Sequence, residues 1–229
     1  MKTRKFFVMM LIGGSFLLQE SCSEGIANTD DVLSELKSGE IPDSCAISGT
    51  LTEAEADGIL WMADEEKMAR DVYAFFNDKY KLPVFRNISK SEALHMNAVG
   101  NLVSGFKLTY EGNDTPDEYV QDQFTKMYGE LTEKGSASLV EALKAGALIE
   151  ETDILDLEKE ILSADNSTVK RVFTNLLLAS ENHLRAFTAV LKVQKIVYEP
   201  VLLDRDYYQA VKDKKTKGTD FDGKRVKSQ

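Results

Sequence analysis

Histidine is nearly missing from this chain: His95 and His183 are the only two in 229 residues. Cysteine is as scarce, with Cys22 and Cys45 alone. No second cysteine or histidine stands at ligand spacing from either, which excludes a thiolate zinc cluster. Two cysteines also exclude a disulfide-dense scaffold. Basic residues run short, 28 against 38 acidic ones, for a net charge of -10. A nucleic-acid binder needs a basic face to displace counterions, so that class is excluded as well. The main apolar run, "FFVMMLIGGSFLL", has 13 residues and is too short to span a bilayer comfortably. Strand-like alternation, a glycine-rich phosphate loop and a fixed-period repeat are all absent. What remains is 43% hydrophobic and 29% charged, enough for one core under a helical, soluble surface.

The apolar run follows a basic "MKTRK" and ends at "QESC". Residues 1–22 therefore read as a secretory signal of the lipoprotein type, with Cys22 as the lipid attachment site. Gln19 stands where such sites usually carry an aliphatic residue. With lipid on Cys22, Cys45 is a free thiol; without it, a linker disulfide stays open. The expected location is the cell envelope, on the periplasmic or surface side of a membrane. Residues 23–50 are polar and weakly periodic, as a tether would be.

From "LTEAE" onward the pattern is helical. Thr52 and Glu55 form a capping box, opening a helix over about 52–79. Pro83 suits a first helical position and starts a second, to about 104. A longer connection leads to a short helix at about 117–133. Two more long helices follow, over about 136–163 and 167–197. Four long helices with mostly short connections predict an all-α antiparallel bundle over 51–199, with the short helix as an extra between the second and third long ones. After Pro200 the chain turns polar. "VKDKKTKGTDFDGKRVKSQ" carries seven basic and three acidic residues and reads as a solvated tail, placing residues 200–229 outside the bundle.

Helix positions advance by roughly 100°, so each core-facing stripe can be drawn. In the second helix it is Val84, Ile88, His95, Val99 and Leu102, with Glu92 one turn before His95. In the last it is Val172, Leu176, His183, Phe187 and Val190. In the one before, Val140, Leu143, Ala147, Ile154, Leu157 and Ile161 keep a heptad-like spacing with Glu150 in its gap. In the first, apolar residues surround Glu65, and Glu66 sits on one flank. Each helix thus places a carboxylate or an imidazole where core belongs.

An uncompensated buried carboxylate costs several kcal/mol, roughly what a marginal domain can spare. Divalent cations would supply the compensation, and a carboxylate–imidazole donor set suits iron or manganese. Each residue also has a blander reading. Ser89 and Glu92 could be a capping box, and "DEEK" is the kind of charge run that usually faces water. Glu150 and Asp153 could lie on a surface, and a lone buried histidine is more often core than ligand. Convergence of both histidines on facing stripes favours metal.

"ADEEKMARDVYAFF", "LPVFRNISKSEALHMNAV", "GSASLVEALKAGALIEETDILDLE" and "LLLASENHLRAF" together resemble an uncharacterised bacterial and archaeal family of ferritin-like domains, related to rubrerythrin. The resemblance covers about residues 51–195 and implies a four-helix ferritin-like bundle with a dinuclear iron site. The general pattern takes a glutamate from each of two helices and Glu-x-x-His from the other two. On it, the implied ligands are Glu65 or Glu66, Glu92 with His95, Glu150 or Glu151, and His183. Ser180 stands where the second Glu-x-x-His would have its glutamate, and Asp153 is the candidate to supply the missing oxygen.

The expected activity is oxidation of ferrous iron or reduction of peroxide or oxygen, with one or two iron ions (manganese as the alternative). The expected partners are a membrane, through the N-terminal lipid, and an electron donor of unidentified kind; a homodimer stays open. A non-catalytic metal-binding or sensing domain, or a metal-free helical scaffold, are the rival readings.

Overall fold

The computed structural model describes residue 47 and residues 49–214. The signal-like segment with Cys22, nearly all of the linker with Cys45, and residues 215–229 lie outside the described residues. Among the described residues there are six helices and no strand. They are α1 (Glu53–Tyr80), α2 (Pro83–Gly105), α3 (Asp122–Gly135), α4 (Leu139–Ser163), α5 (Ser167–Val193) and α6 (Arg205–Lys212). None of them is long and apolar enough to cross a membrane.

Local chemistry sets the helix starts. Thr52 Oγ1 accepts from the Glu55 amide at 3.2 Å, and Glu55 Oε2 accepts from the Thr52 amide at 2.7 Å. This is the capping box expected from the sequence. The other oxygen, Glu55 Oε1, accepts from the amides of Asp165 and Asn166 at 2.8 and 2.6 Å. One buried carboxylate therefore ties the start of α1 to the α4–α5 turn. Pro83 occupies the first turn of α2, so Ser89 and Glu92 lie inside that helix and not at its cap. Ser138 caps α4, and Asn166 caps α5 through the Thr168 and Val169 amides.

Short connections at 81–82 and 164–166 fold α2 back along α1 and α5 back along α4. These two pairs make the most extensive contacts, and they meet through α1 against α4 and α2 against α5. Helix α3 packs on α1 and α4. Helix α6 extends the folded domain past the boundary at 199 that the polar composition suggested. It buries Tyr208 and Val211 against the rest, and Arg185 Nη1 of α5 donates to the Val211 carbonyl at 2.8 Å. Two buried residues three apart in an eight-residue helix are too few to give a periodic signal.

Helix α1 is buried on every side from Met62 to Ala69, including the charged "DEEK". The connection over 106–121 covers its outer face, and polar groups hold it there. Asp64 accepts from Tyr110 Oη at 2.6 Å and from the Gln121 amide at 2.8 Å. Lys67 Nζ donates to Asp71 at 2.9 Å and to the Thr115 carbonyl at 2.7 Å, with the Tyr119 ring 4.2 Å away. The inner face of α1 meets α4, where burying each large side chain contributes about 1.5–3 kcal/mol.

The loop before α6 is organised around Glu151. Its carboxylate accepts from Tyr198 Oη at 2.7 Å and from the amides of Val201, Leu202 and Leu203 at 3.0, 2.6 and 2.8 Å. Replacing it strands several donors in a poorly solvated place. Glu151→Ala should lower unfolding free energy in urea by about 2–3 kcal/mol. A loss under about 0.5 kcal/mol, the usual size for a surface substitution, would show that the loop does not depend on this carboxylate.

Candidate metal centre

Where the two helical pairs meet, four helices contribute charged side chains to one small volume. Glu92, His95 and Glu66 lie 1–2% exposed, Glu150 2% and His183 8%. Glu92 and His95 come from α2, three residues apart and so on one face. Glu66 comes from α1, Glu150 from α4 and His183 from α5.

Glu92 stands between the two imidazoles. Its Oε2 is 2.6 Å from His95 Nδ1, and its Oε1 is 2.8 Å from His183 Nδ1. Glu66 Oε2 lies 3.2 Å from His95 Nδ1, and Glu150 Oε2 lies 3.4 Å from His183 Nδ1. Two donor triads result, Glu66–Glu92–His95 and Glu92–Glu150–His183, each with its atoms within 4.8 Å of one another. Close as they are, Glu92 Oε1 and His183 Nδ1 do not meet hydrogen-bond geometry, and neither atom has another hydrogen-bond partner. Glu66 Oε1 and Asp153 Oδ1 are also buried without partners. Such atoms are rare in folded proteins, and an ion is one of the standard reasons for them.

The protonation energetics follow. Burial opposes charge on His183, but Glu92 and Glu150 outweigh it and hold its pKa up at about 9. Burial opposes charge on His95 too, and Glu92 and Glu66 raise its pKa well above the usual value. Glu92 is driven the other way: burial would raise its pKa, but His183 and His95 pull it well below the carboxylate range. Burial pushes Glu66 up to about 7 despite His95. Asp153 is pushed well up by burial and by Glu66, Glu65 and Glu150 around it.

Surrounding groups fix these side chains. Tyr73 Oη donates to Glu150 Oε1 at 2.5 Å. The Tyr73 ring packs on Phe187 at 5.1 Å, and Phe85 continues the apolar floor at 5.7 Å from Phe187. Gly146 makes room for that floor, since a Cβ there would stand 2.7 Å from the Phe187 ring. Ser180 Oγ, at the position where a second Glu-x-x-His would carry its glutamate, lies within hydrogen-bond reach of both Asp153 Oδ2 and the Leu176 carbonyl. Ser91 Oγ lies 3.4 Å from His95 Nε2 and 3.1 Å from His183 Nε2.

Of the residues nominated from sequence, Glu92, His95, Glu150 and His183 lie in the triads. Asp153 borders them, bonded to Ser180. Glu65 is buried but turned aside, where it accepts from Trp61 Nε1 at 3.1 Å, and its neighbour Glu66 takes the place in the triad. Burial raises the Glu65 pKa well above normal, with Asp156 and Glu66 adding to it. A signal for Glu66 was present: Ile59, Met62, Glu66, Ala69, Tyr73 and Phe76 form a heptad-like buried row on α1, and Glu66 and Tyr73 are both members. Ser91 is one turn before His95, a relation that spacing shows without showing its partner on α5.

The described residues form an all-helical domain with an acidic, imidazole-containing interior that could hold metal ions. The chain belongs to the family described as "Uncharacterized protein domain (DUF2202)", whose model matches residues 55–214. It is 40% identical over 162 residues to "Uncharacterized protein MJ0754" of Methanocaldococcus jannaschii, a match covering 70% of this chain and 88% of that one. It is also similar to a solved structure, titled "Crystal structure of hypothetical protein MJ0754 from Methanococcus jannaschii DSM 2661". The TM-score is 0.71 at 38% identity, covering 76% of this chain and 97% of that chain.

The pKa values give the metal-free protein a definite pH dependence. His183 and Glu66 both bind protons more tightly when folded, with values of about 9 and 7 against ordinary values of 6.5 and 4.5. Their contribution to stability is complete below the ordinary values and is lost as pH rises through the folded ones. Chelator-treated protein should therefore melt several degrees lower at pH 9.5 than at pH 6. A flat or rising profile would contradict this assignment of protons.

Proposed function

We propose that this domain is a ferritin-like, rubrerythrin-related dinuclear metal protein. Iron is the favoured metal and manganese the alternative. The observation that carries the reading is Glu92, with one oxygen against each of two imidazole Nδ1 atoms in two overlapping donor triads. A carboxylate shared by two donor groups could serve a cation in each. Charge balance supports the number. Glu66, Glu92, Glu150 and Asp153 would carry four negative charges, which two divalent ions neutralise with both imidazoles neutral. Without cations, the carboxylates must share protons instead, and burial together with their neighbours raises the proton affinity of Glu66, Glu150 and Asp153.

In this reading Glu66, Glu92 and His95 would hold one ion, and Glu92, Glu150 and His183 would hold the other. The oxygen- and nitrogen-only donor set suits iron or manganese. Bound iron would supply electrons: reducing oxygen to peroxide takes two electrons and two protons, and reducing peroxide to two waters takes two more of each. The protein's part is to keep the donors rigid and to limit water. The floor of Tyr73, Phe85 and Phe187 excludes solvent on one side, and the Tyr73 hydroxyl orients Glu150. Asp153, with one oxygen on Ser180 and the other unpartnered, supplies an additional buried acceptor beside the triads. The electron donor would be another protein or ferrous iron itself. The N-terminal segment supports export and lipid attachment at Cys22, which would place the domain in the cell envelope.

Protein purified without chelator should carry close to two equivalents of iron or manganese per chain. Glu92→Ala should lose both ions, and Glu65→Gln should lose neither. Less than about a third of an equivalent, with a melting temperature unchanged by chelator, would leave a metal-free scaffold, since binding to the folded state alone must raise that temperature. Metal content without any change of oxidation state under air or peroxide would leave a non-catalytic binding domain.

A further inference from the structure

The two imidazoles share more than Glu92. Their rings stack with centroids 5.4 Å apart and planes 17° from parallel, so their Nδ1 atoms face the carboxylates together and their Nε2 atoms face away together. At that far side stands one hydroxyl, Ser91 Oγ, within reach of both Nε2 atoms. We infer that Ser91 is a positioning residue that accepts a hydrogen bond from both imidazoles at once and so holds both histidines in the Nε2–H form. This rests on the dinuclear reading above.

A neutral imidazole has one N–H and one bare nitrogen. If the Nδ1 lone pairs point at cations, both hydrogens sit on Nε2 and both rings need an acceptor there. A serine hydroxyl has two lone pairs, enough for two N–H donors. A carboxylate in that place would add a fifth negative charge to a centre that two divalent ions would already neutralise, whereas the serine hydroxyl adds none. The helix supplies the placement. Ser91 is one turn before His95 on α2, so it covers the outer edge of that ring and, α2 being packed on α5, reaches His183 as well. It is also less buried than the triad residues, so it forms the edge of the centre nearest solvent.

A hydroxyl in this position fixes ring orientation and the tautomer, and the loss of such outer partners typically weakens metal binding by about 10–100-fold. The alternative arrangement, with Ser91 donating to one ring, would leave a bare Nε2 and put that ring's hydrogen at Nδ1, where it would block one cation.

With two histidines in the chain, protein labelled with 15N-histidine gives two imidazole spin systems, and Zn(II) serves as a diamagnetic probe. The Zn(II)-loaded wild type should show a solvent-protected Hε2 on both rings and no proton on either Nδ1. Ser91→Ala should lose the protection at both rings and bind Zn(II) about tenfold or more weakly. Ser91→Thr, which keeps the hydroxyl, should restore both properties, and unchanged far-UV circular dichroism would show that the fold is intact. Zinc affinity and Hε2 protection unaltered in Ser91→Ala, or a proton on Nδ1 in the loaded wild type, would overturn the inference while leaving the centre standing. A wild type that takes up no Zn(II), Fe(II) or Mn(II) would remove the dinuclear reading and this inference with it.

Discussion

The interior of this protein is organised around one carboxylate held between two imidazoles. Glu92 lies within 3 Å of both His95 and His183, from a position almost without access to water. Bare, it would be among the least favourable groups a helical core can contain. The other carboxylates around it make matters worse unless positive charge is present, because each raises the proton affinity of the next. Protons on the imidazoles, Glu66 and Asp153 can meet part of that demand in the metal-free chain. Divalent cations would meet all of it, at the nitrogen atoms where those protons otherwise sit. Metal and proton therefore compete for one set of lone pairs, and binding should release protons.

Much of the remaining architecture serves to keep these groups from rearranging. Glu55 joins the beginning of α1 to the turn that launches α5, so the two helices cannot slide apart at that end. Glu151, next to a triad residue in sequence, spends its charge on the loop before α6 and so sits outside the centre. The connection between α2 and α3 is secured to α1 by Asp64 and Lys67, which buries a helix segment that would otherwise be half solvated. Three consecutive acidic residues thus have three different destinations: Asp64 outward to the covering loop, Glu65 sideways to Trp61, Glu66 inward to His95.

That divergence shows how far sequence could be read. The long helices were legible because apolar residues recur at the helical period over many turns and because Thr52 and Pro83 mark the starts of two of them. Glu92, His95, Glu150 and His183 were legible because each interrupts an apolar row that runs on both sides of it. Glu65 and Glu66 were not separable by charge or by a loose estimate of facing; only the strict row through Ile59, Met62, Ala69, Tyr73 and Phe76 distinguishes them. Ser91 and Tyr73 escaped for a different reason. Their importance comes from partners on other helices, and spacing within one helix says nothing of what lies across from it. Helix α6 escaped because its contact with the body is too brief to leave a pattern.

The central claim is that cations, and not protons alone, neutralise this interior. Anomalous diffraction from crystals soaked in Mn(II) tests it most directly. The account predicts two peaks per chain on either side of the Glu92 carboxylate, each beside one histidine Nδ1. A map with no peak between these helices, with Glu92 still lying between two protonated imidazoles, would contradict it.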